Sequence, residues 1–277
     1  WVEKLLKSPI ALVPEKANEQ HYELPPQFFE QVLGKYLKYS SGSWLNSKTL
    51  DDSEKEMLEI TYNRSEIVDS MNILELGCGW GSFTLFMAQR LPNSNITAVS
   101  NSNDQREYIQ NKCKKMGYSN VIVITADMND FDTKNKFDRI VSIEMFEHMR
   151  NYGKLLKKIS NWLNEDGKLF VHIFSHKNLV YPFENNGPDD WMGREFFSGG
   201  LMPSRRLLLH FQDHMIIQKM WYMSGEYYSK TANAWLYRMD QNKLKIMELF
   251  SETYGKSNAK MWIQRWRIFF MSCAELF

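Results

Sequence analysis

Two carboxylates and an imidazole crowd together in Glu144-Met145-Phe146-Glu147-His148-Met149, with Glu144, Glu147 and His148 at relative positions i, i+3 and i+4. One helical turn would bring residues so spaced onto one face, where two acids raise one another's pKa and a histidine titrates near neutrality. That is the equipment of a proton acceptor. The same residues also suit an ordinary helix start, with glutamates complementing the helix dipole and a hydrogen-bonded histidine of no chemical role. Clusters of this kind mark functional sites only statistically.

A second constellation reads Glu75-Leu76-Gly77-Cys78-Gly79-Trp80-Gly81, after the apolar run 71–74 and before residues 82–88, whose apolar spacing is helical. Strand, glycine turn and helix in succession let a backbone approach a ligand closely and offer it the unpaired N–H groups of a helix start. A dinucleotide fingerprint would need G-x-G-x-x-G and an acid at the tip of the next strand. Here the frame is G-x-G-x-G, and the second strand, 96–100, runs into Asn101 without a carboxylate. With its leading acid the loop resembles the S-adenosylmethionine (SAM) loop of class I methyltransferases, although a tight turn in another α/β protein has the same look.

Elements that would position these groups alternate between residues 66 and 175. Strands are predicted at 71–76, 95–100, 120–125, 137–143 and 167–174, and helices at 81–91, 103–117 and 151–163. That alternation predicts a Rossmann-like α/β fold, a parallel sheet with helices on both faces. Ligands of open α/β sheets sit at the carboxyl ends of the strands, where strand order reverses. The fourth strand releases the acid–histidine cluster at that edge. Residues 1–65 form an amino-terminal arm or lid with helices expected at 26–35 and 51–64. Residues 176–277 form an aromatic-rich, mostly helical cap, with helical periodicity at 230–254 and 257–273. The three parts read as one integrated domain around a SAM-binding core at 66–175.

The 277 residues suffice for one elaborated domain, and Lys+Arg 34 against Asp+Glu 33 argues against a polyanionic partner such as nucleic acid. Cys78, Cys113 and Cys273 lie far apart with no metal or disulfide spacing. The pairs His172/His176 and His210/His214 would need one helix and a third ligand to bind metal, so none is expected. No stretch reaches a membrane span of about 18 apolar residues, and no signal-peptide pattern opens the chain. A cytoplasmic location without stable membrane association is expected, and a homodimer is left open. The start at Trp1 and the stop within Cys273-Ala274-Glu275-Leu276-Phe277 read as trimmed ends.

From about Ala17 to Phe277 the chain resembles the coclaurine N-methyltransferase group, within the methyltransferases related to cyclopropane-fatty-acid synthases. The shared stretches are Asn18-Glu19-Gln20-His21-Tyr22-Glu23-Leu24-Pro25, Leu33-Gly34-Lys35, Leu37-Lys38-Tyr39-Ser40, the glycine loop, Ile143 to Met149, Phe170-Val171-His172 and Trp266-Arg267. The resemblance implies SAM as cofactor, no metal, and a small aromatic or alkaloid-like amine as substrate. By resemblance, Tyr39, Ser40, Gly77, Cys78 and Gly79 would hold the methionine part of SAM, and Ser100, Asn101 and Gln105 the ribose. Asp127 and Met128 would flank the adenine, and Ile143 would line the same pocket. Glu144, Glu147 and His148 would face the amine and supply the general base, with Glu23 closing over it and Phe197, Tyr228, Trp266 and Phe269 as walls. Buried aromatics also serve simply as core.

In the lipid-cyclopropanating relatives a bicarbonate ion is the base, held by a cysteine after the Tyr-Ser pair, a glutamate, a histidine and a tyrosine. This chain keeps Glu147, His172 and Tyr228, but Ser41 stands at the cysteine position and Glu144 where those enzymes carry glycine. An added carboxylate repels a bound anion, so Glu144 points to a base built into the protein. Cyclopropanation and non-catalytic SAM binding are the alternatives.

Overall fold

The computed structural model describes residues 1–13 and 24–277. The arm contributes α1 (Val2–Leu6), α2 (Pro26–Val32) and α3 (Leu50–Arg64). Pro25 and Pro26 fix the start of α2, a position where a missing N–H costs nothing. α3 is capped by Thr49, whose side chain accepts from the Asp52 N–H.

The core follows in strict alternation: β1 (Asn72–Leu76), α4 (Ser82–Arg90), β2 (Asn95–Ser100), α5 (Asn103–Met116), β3 (Val121–Thr125), β4 (Phe137–Ile143), α6 (Tyr152–Trp162) and β5 (Leu163–His172). These five strands pair in the order β3-β2-β1-β4-β5, all parallel. The chain winds outward from β1 to β3 and then returns to β4 on the other side of β1. Strand order therefore reverses between β1 and β4, whose carboxyl ends release the glycine loop and the acid–histidine segment side by side. The inner strands are apolar on both faces, as helix-covered parallel strands must be: Ile73, Leu74, Leu76, Ile140 and Val141 are fully buried.

The fifth strand departs from its predicted position, starting at Leu163 and ending at His172. Its register against β4 slips between Phe137 and Arg139, so residues 164–167 bulge before regular pairing resumes at Lys168 opposite Arg139. Asn-Glu-Asp-Gly reads as a turn in sequence, but here it forms an irregular strand start.

Beyond the core lie a two-stranded hairpin pair, β6 (Tyr181–Pro182) with β7 (Leu201–Met202), and the short α7 (Trp191–Glu195) between them. The cap ends in α8 (Gly225–Gln241), α9 (Lys243–Tyr254) and α10 (Lys256–Leu276). The periodicity over 230–254 belongs to two helices, which start earlier and break at Asn242. There the side-chain amide donates to the carbonyls of Gln31 and Arg238. Local hydrogen bonding by asparagine ends a helix that hydrophobic spacing alone would continue.

One aromatic cluster joins arm, core and cap: Phe28 and Phe29 of α2, Trp80 of the glycine loop, Phe196, and Trp235, Phe250, Trp266, Phe269 and Phe270 of the cap helices are all buried together. Such burial stabilises by about 25 cal/mol per Å² of apolar surface. It also fixes the arm and cap over the edge of the sheet where the ligand loop opens. Among the described residues no helix is long and apolar enough to cross a membrane.

Candidate active site

A cavity opens at the switch between β1 and β4. Tyr39, Ser40, Gly77, Cys78, Gly79, Ser100, Asn101, Gln105, Asp127, Met128 and Ile143 all line it, together with Glu144 and His148. Lys38, Glu75, Trp80, Ser82 and Met145 add to its wall, and Ala11, Val13, Ser198 and Gly199 bring the arm and cap against it. The loop is tied to β2 by the Gly77 and Cys78 N–H groups, which both donate to the Val99 carbonyl at 2.9 and 3.0 Å. Gly77, Gly79 and Gly81 have φ of 77°, 54° and 81°, a left-handed path only glycine follows without strain.

These residues fit SAM. A Cβ on Gly79 would meet no atom within 4 Å, so the loop backbone is open beside the cavity. The Ser82 hydroxyl and the Gln105 Nε2 are buried without a hydrogen-bond partner among the described residues, and both border that space. Ser100 Oγ donates to Gln105 Oε1 at 2.6 Å, which turns the amide nitrogen toward a missing acceptor. Buried donors of this kind call for a ligand. Asp127 is held by the Asn129 N–H, donating to Oδ1 at 2.8 Å.

Glu75, at the tip of β1, is 2 % exposed and accepts from Thr84 Oγ1 at 2.5 Å. Burial pushes its carboxyl up from an ordinary 4.5 to about 8, opposed only by that hydrogen bond. Because the folded value is raised, the neutral acid stabilises the fold fully below pH 4.5, and that contribution is lost as pH rises through about 8. Glu75→Gln keeps an acceptor for Thr84 and cannot ionise. In the ligand-free protein its Tm relative to the parent should therefore rise between pH 5 and pH 9; a pH-independent difference in thermal melts would contradict this.

The acid–histidine segment is not a single helical turn. Glu144 has φ 48°, and only Phe146–His148 form a short 3-10 turn. The left-handed bend at residue 144 sets it outside that turn, although its carboxyl still acts on Glu147 and shares the cavity wall with His148. Ser41 N–H donates to Glu144 Oε1 at 3.0 Å and Tyr228 OH to Oε2 at 2.8 Å, while His172 Nε2 lies 3.8 Å from Oε1. Glu144 thus sits among Ser41, His172 and Tyr228, and it faces both the ligand cavity and a second cavity of about 580 Å³ beside β5.

Glu147 is fully buried and lines neither cavity. Its Oε1 accepts from the Phe174 N–H at 2.8 Å, and its Oε2 has no partner among the described residues. Burial, and then the nearby Glu144, push its carboxyl well above the ordinary range. Glu144 is raised by burial too, but Lys38, the Ser41 N–H and the Tyr228 hydroxyl oppose the rise. Of the pair, Glu147 is therefore the better-placed holder of a proton, and Glu144 is the one whose partners favour ionisation. Burial lowers His148 to about 4 and His172 to about 3. Both imidazoles are then neutral near pH 7, and His148 carries a free-base ring on the cavity wall.

Of the aromatic side chains expected as walls, Phe197 lines neither cavity and packs behind His148, 4.7 Å from its ring, centroid to centroid. Tyr228 stacks on Phe277 at 4.3 Å as well as holding Glu144. Trp266 and Phe269 line neither cavity: Phe269 stacks on Phe196 at 4.3 Å, and Trp266 is wedged against Phe28 at 4.8 Å and Phe196 at 5.0 Å. Glu23 lies outside the described residues. Lys38 and Trp80 fall within stretches that carry the resemblance but were assigned no site role there, and only the fold brings them to the cavity wall. Among the described residues no three acidic, histidine or cysteine side chains gather as a metal site.

A parallel sheet with this strand order, a glycine turn after β1 and a cavity at the β1–β4 switch define a class I SAM-dependent methyltransferase. The chain belongs to the family described as mycolic acid cyclopropane synthetase, which matches residues 13–277. It is 39 % identical over 267 residues to (S)-coclaurine N-methyltransferase of Papaver somniferum, covering 95 % of this chain and 76 % of that protein. The (S)-coclaurine N-methyltransferase of Thalictrum flavum subsp. glaucum is 40 % identical over 273 residues, 97 % of this chain and 76 % of its own. A crystal structure of coclaurine N-methyltransferase bound to N-methylheliamine and SAH matches with a TM-score of 0.96 at 37 % identity, covering 100 % of this chain and 81 % of that one.

Proposed function

We propose that the protein transfers a methyl group from SAM to the nitrogen of a small, aromatic or alkaloid-like amine. The observation that carries this reading is Glu144: a carboxylate in a strained bend, held by Ser41 and Tyr228 beside the cavity that fits SAM. Similarity to coclaurine N-methyltransferases across nearly the whole chain supports the same substrate class.

When bound, SAM supplies an electrophilic methyl carbon; the protein must present a neutral nitrogen in line with it. An alkyl amine, like lysine, has a pKa near ~10 and arrives as an ammonium. Glu144 attracts that cation, and the neutral His148 imidazole accepts a hydrogen bond from its N–H and passes the proton on toward solvent as the nitrogen becomes neutral. Glu147, behind them, stays protonated and anchors residue 174. Tyr228 flanks the amine and favours its positive charge by about 0.5 to 2 kcal/mol; Phe197 backs His148, and Trp266 and Phe269 serve as core packing. Tyr39, Ser40, Gly77, Cys78 and Gly79 take the methionine part of SAM, Ser100, Asn101 and Gln105 its ribose, and Asp127, Met128 and Ile143 its base. In this reading residues 1–65 and 176–277 are lid and cap to one core.

The carboxylate of Glu144 fills the space among Ser41, His172 and Tyr228, which weighs against an exogenous anion as base and so against lipid cyclopropanation. Incubation with methyl-labelled SAM and a panel of tetrahydroisoquinolines, arylethylamines and phospholipids tests the proposal. Label should reach the amines; label reaching only phospholipid, or no acceptor, would overturn it.

A further inference from the structure

One buried charge has no part in the reaction outlined above. Lys38, immediately ahead of Tyr39-Ser40, is 1 % exposed, and its Nζ donates to Ser40 Oγ at 2.5 Å and to the Ser41 carbonyl at 2.8 Å. Both acceptors are neutral, and a cation removed from water needs a counter-charge. Two carboxylates face it, Glu54 of α3 and Glu144, and both favour its charged form against burial, which lowers it to about 8. Glu54 is engaged elsewhere: it accepts from the Gly34 and Tyr36 N–H groups at 2.8 Å each, and burial pushes it up to about 7. Glu144 is reached through a single residue. The Ser41 carbonyl accepts from Lys38 while the Ser41 N–H donates to Glu144 Oε1.

The remaining titratable groups facing Glu144 are Glu147 on the 3-10 turn, His172 of β5, Tyr228 of α8 and Cys273 of α10. Arg64 of α3 lines the second cavity and acts on His172; with His172 neutral, Lys38 is the cation that acts on Glu144 among the described residues. Glu144 also carries a left-handed backbone that costs a non-glycine residue roughly 1 to 2 kcal/mol, and it stays in place only while its partners hold it.

We infer that Lys38 is a positioning residue: its buried ammonium, acting across Ser41, keeps Glu144 ionised and fixed beside the ligand cavity and holds Tyr39 and Ser40 on that cavity's wall. Its catalytic consequence rests on the methyl-transfer reading; the electrostatic coupling does not.

The coupling is read without substrate by carboxyl-carbon NMR of Glu144, assigned by its loss in Glu144→Gln and titrated with pH. Lys38→Met, of similar length and no charge, should raise the Glu144 midpoint by about one pH unit or more, whereas Glu54→Gln should leave it in place. An unmoved midpoint in Lys38→Met, or an equal shift in Glu54→Gln, would overturn the inference. Should Lys38→Met not fold, the reciprocal titration serves. Coupling is mutual, so the Lys38 ammonium, followed by its Nζ nitrogen signal, should titrate about one unit lower in Glu144→Gln than in the parent; an unmoved signal would overturn the inference equally. With a methylated amine in hand, the acid limb of kcat/KM in Lys38→Met should move upward with the Glu144 midpoint. A shifted midpoint in a protein that methylates no amine would sustain Lys38 and defeat the substrate reading.

Discussion

His148→Ala is expected to lower kcat by about 10²- to 10⁴-fold, the range a positioned proton acceptor contributes, while SAH affinity changes by less than about threefold. Both halves follow from geometry. The imidazole is on the wall of the ligand cavity and against the Phe197 ring, and burial, which lowers it to about 4, leaves it neutral and able to accept a hydrogen bond from the incoming amine. The glycine loop, Ser100 and Gln105, which the ligand contacts would come from, belong to β1, β2 and α5 and are held by the Gly77 and Cys78 N–H bonds to Val99 and by Ser100 donating to Gln105. Stopped-flow or steady-state rates with a methylated amine, beside calorimetric SAH titrations, separate the two effects. A loss of SAH binding with near-normal turnover at saturation would remove His148 from the chemistry and make it a wall of the cofactor site.

Much of this site was readable from residue types, and what was not readable has identifiable causes. The strand–glycine–helix succession at 71–88 placed the ligand loop because strand, positive-φ turn and helix start each leave a mark in composition. The eleven residues that resemblance assigned to SAM came together because a parallel sheet delivers every strand end to one edge. Glu144, Glu147 and His148 were read as one face of a helical turn, yet the chain bends left-handed at 144, and spacing cannot register a single positive φ at a non-glycine residue. Their division of roles was hidden for the same reason. A solvent-excluded Glu147 and a cavity-facing Glu144 look alike in sequence; burial raises both, and only the partners of Glu144, which are Lys38, the Ser41 N–H and the Tyr228 hydroxyl, set them apart. Trp266 and Phe269 show the limit for aromatics: resemblance assigns them to the wall of the site, whereas packing puts them against Phe196 in the shared core. Lys38 stood within a shared stretch and had no assigned role until two hydrogen-bonded oxygens and two carboxylates were placed around it.

The glycines give the second large expected effect, because three of them share a backbone and differ in what surrounds them. Gly77, Gly79 and Gly117 have φ of 77°, 54° and 75°. Alanine at any of them bears the left-handed cost of roughly 1 to 2 kcal/mol. At Gly117, the C-cap of α5, a Cβ meets nothing within 4 Å and no cavity is near, so stability falls by that amount and SAH binding is unchanged. At Gly79 a Cβ also meets nothing within 4 Å, yet the residue lines the ligand cavity. Gly79→Ala should match Gly117→Ala in thermal stability while weakening SAH by about 100-fold or more, since a methyl group there takes the space and the close approach the ligand needs. At Gly77 the Cβ would lie 2.7 Å from Cβ of Met145, so alanine there should lower both quantities, melting the apoprotein earlier than either other variant as the 145 segment is pushed aside. Paired melts and SAH titrations of the three proteins measure all of this. Equal SAH affinity in Gly79→Ala and Gly117→Ala would mean that the loop is a turn of the fold alone, and that the cavity at the β1–β4 switch binds its ligand elsewhere along the wall.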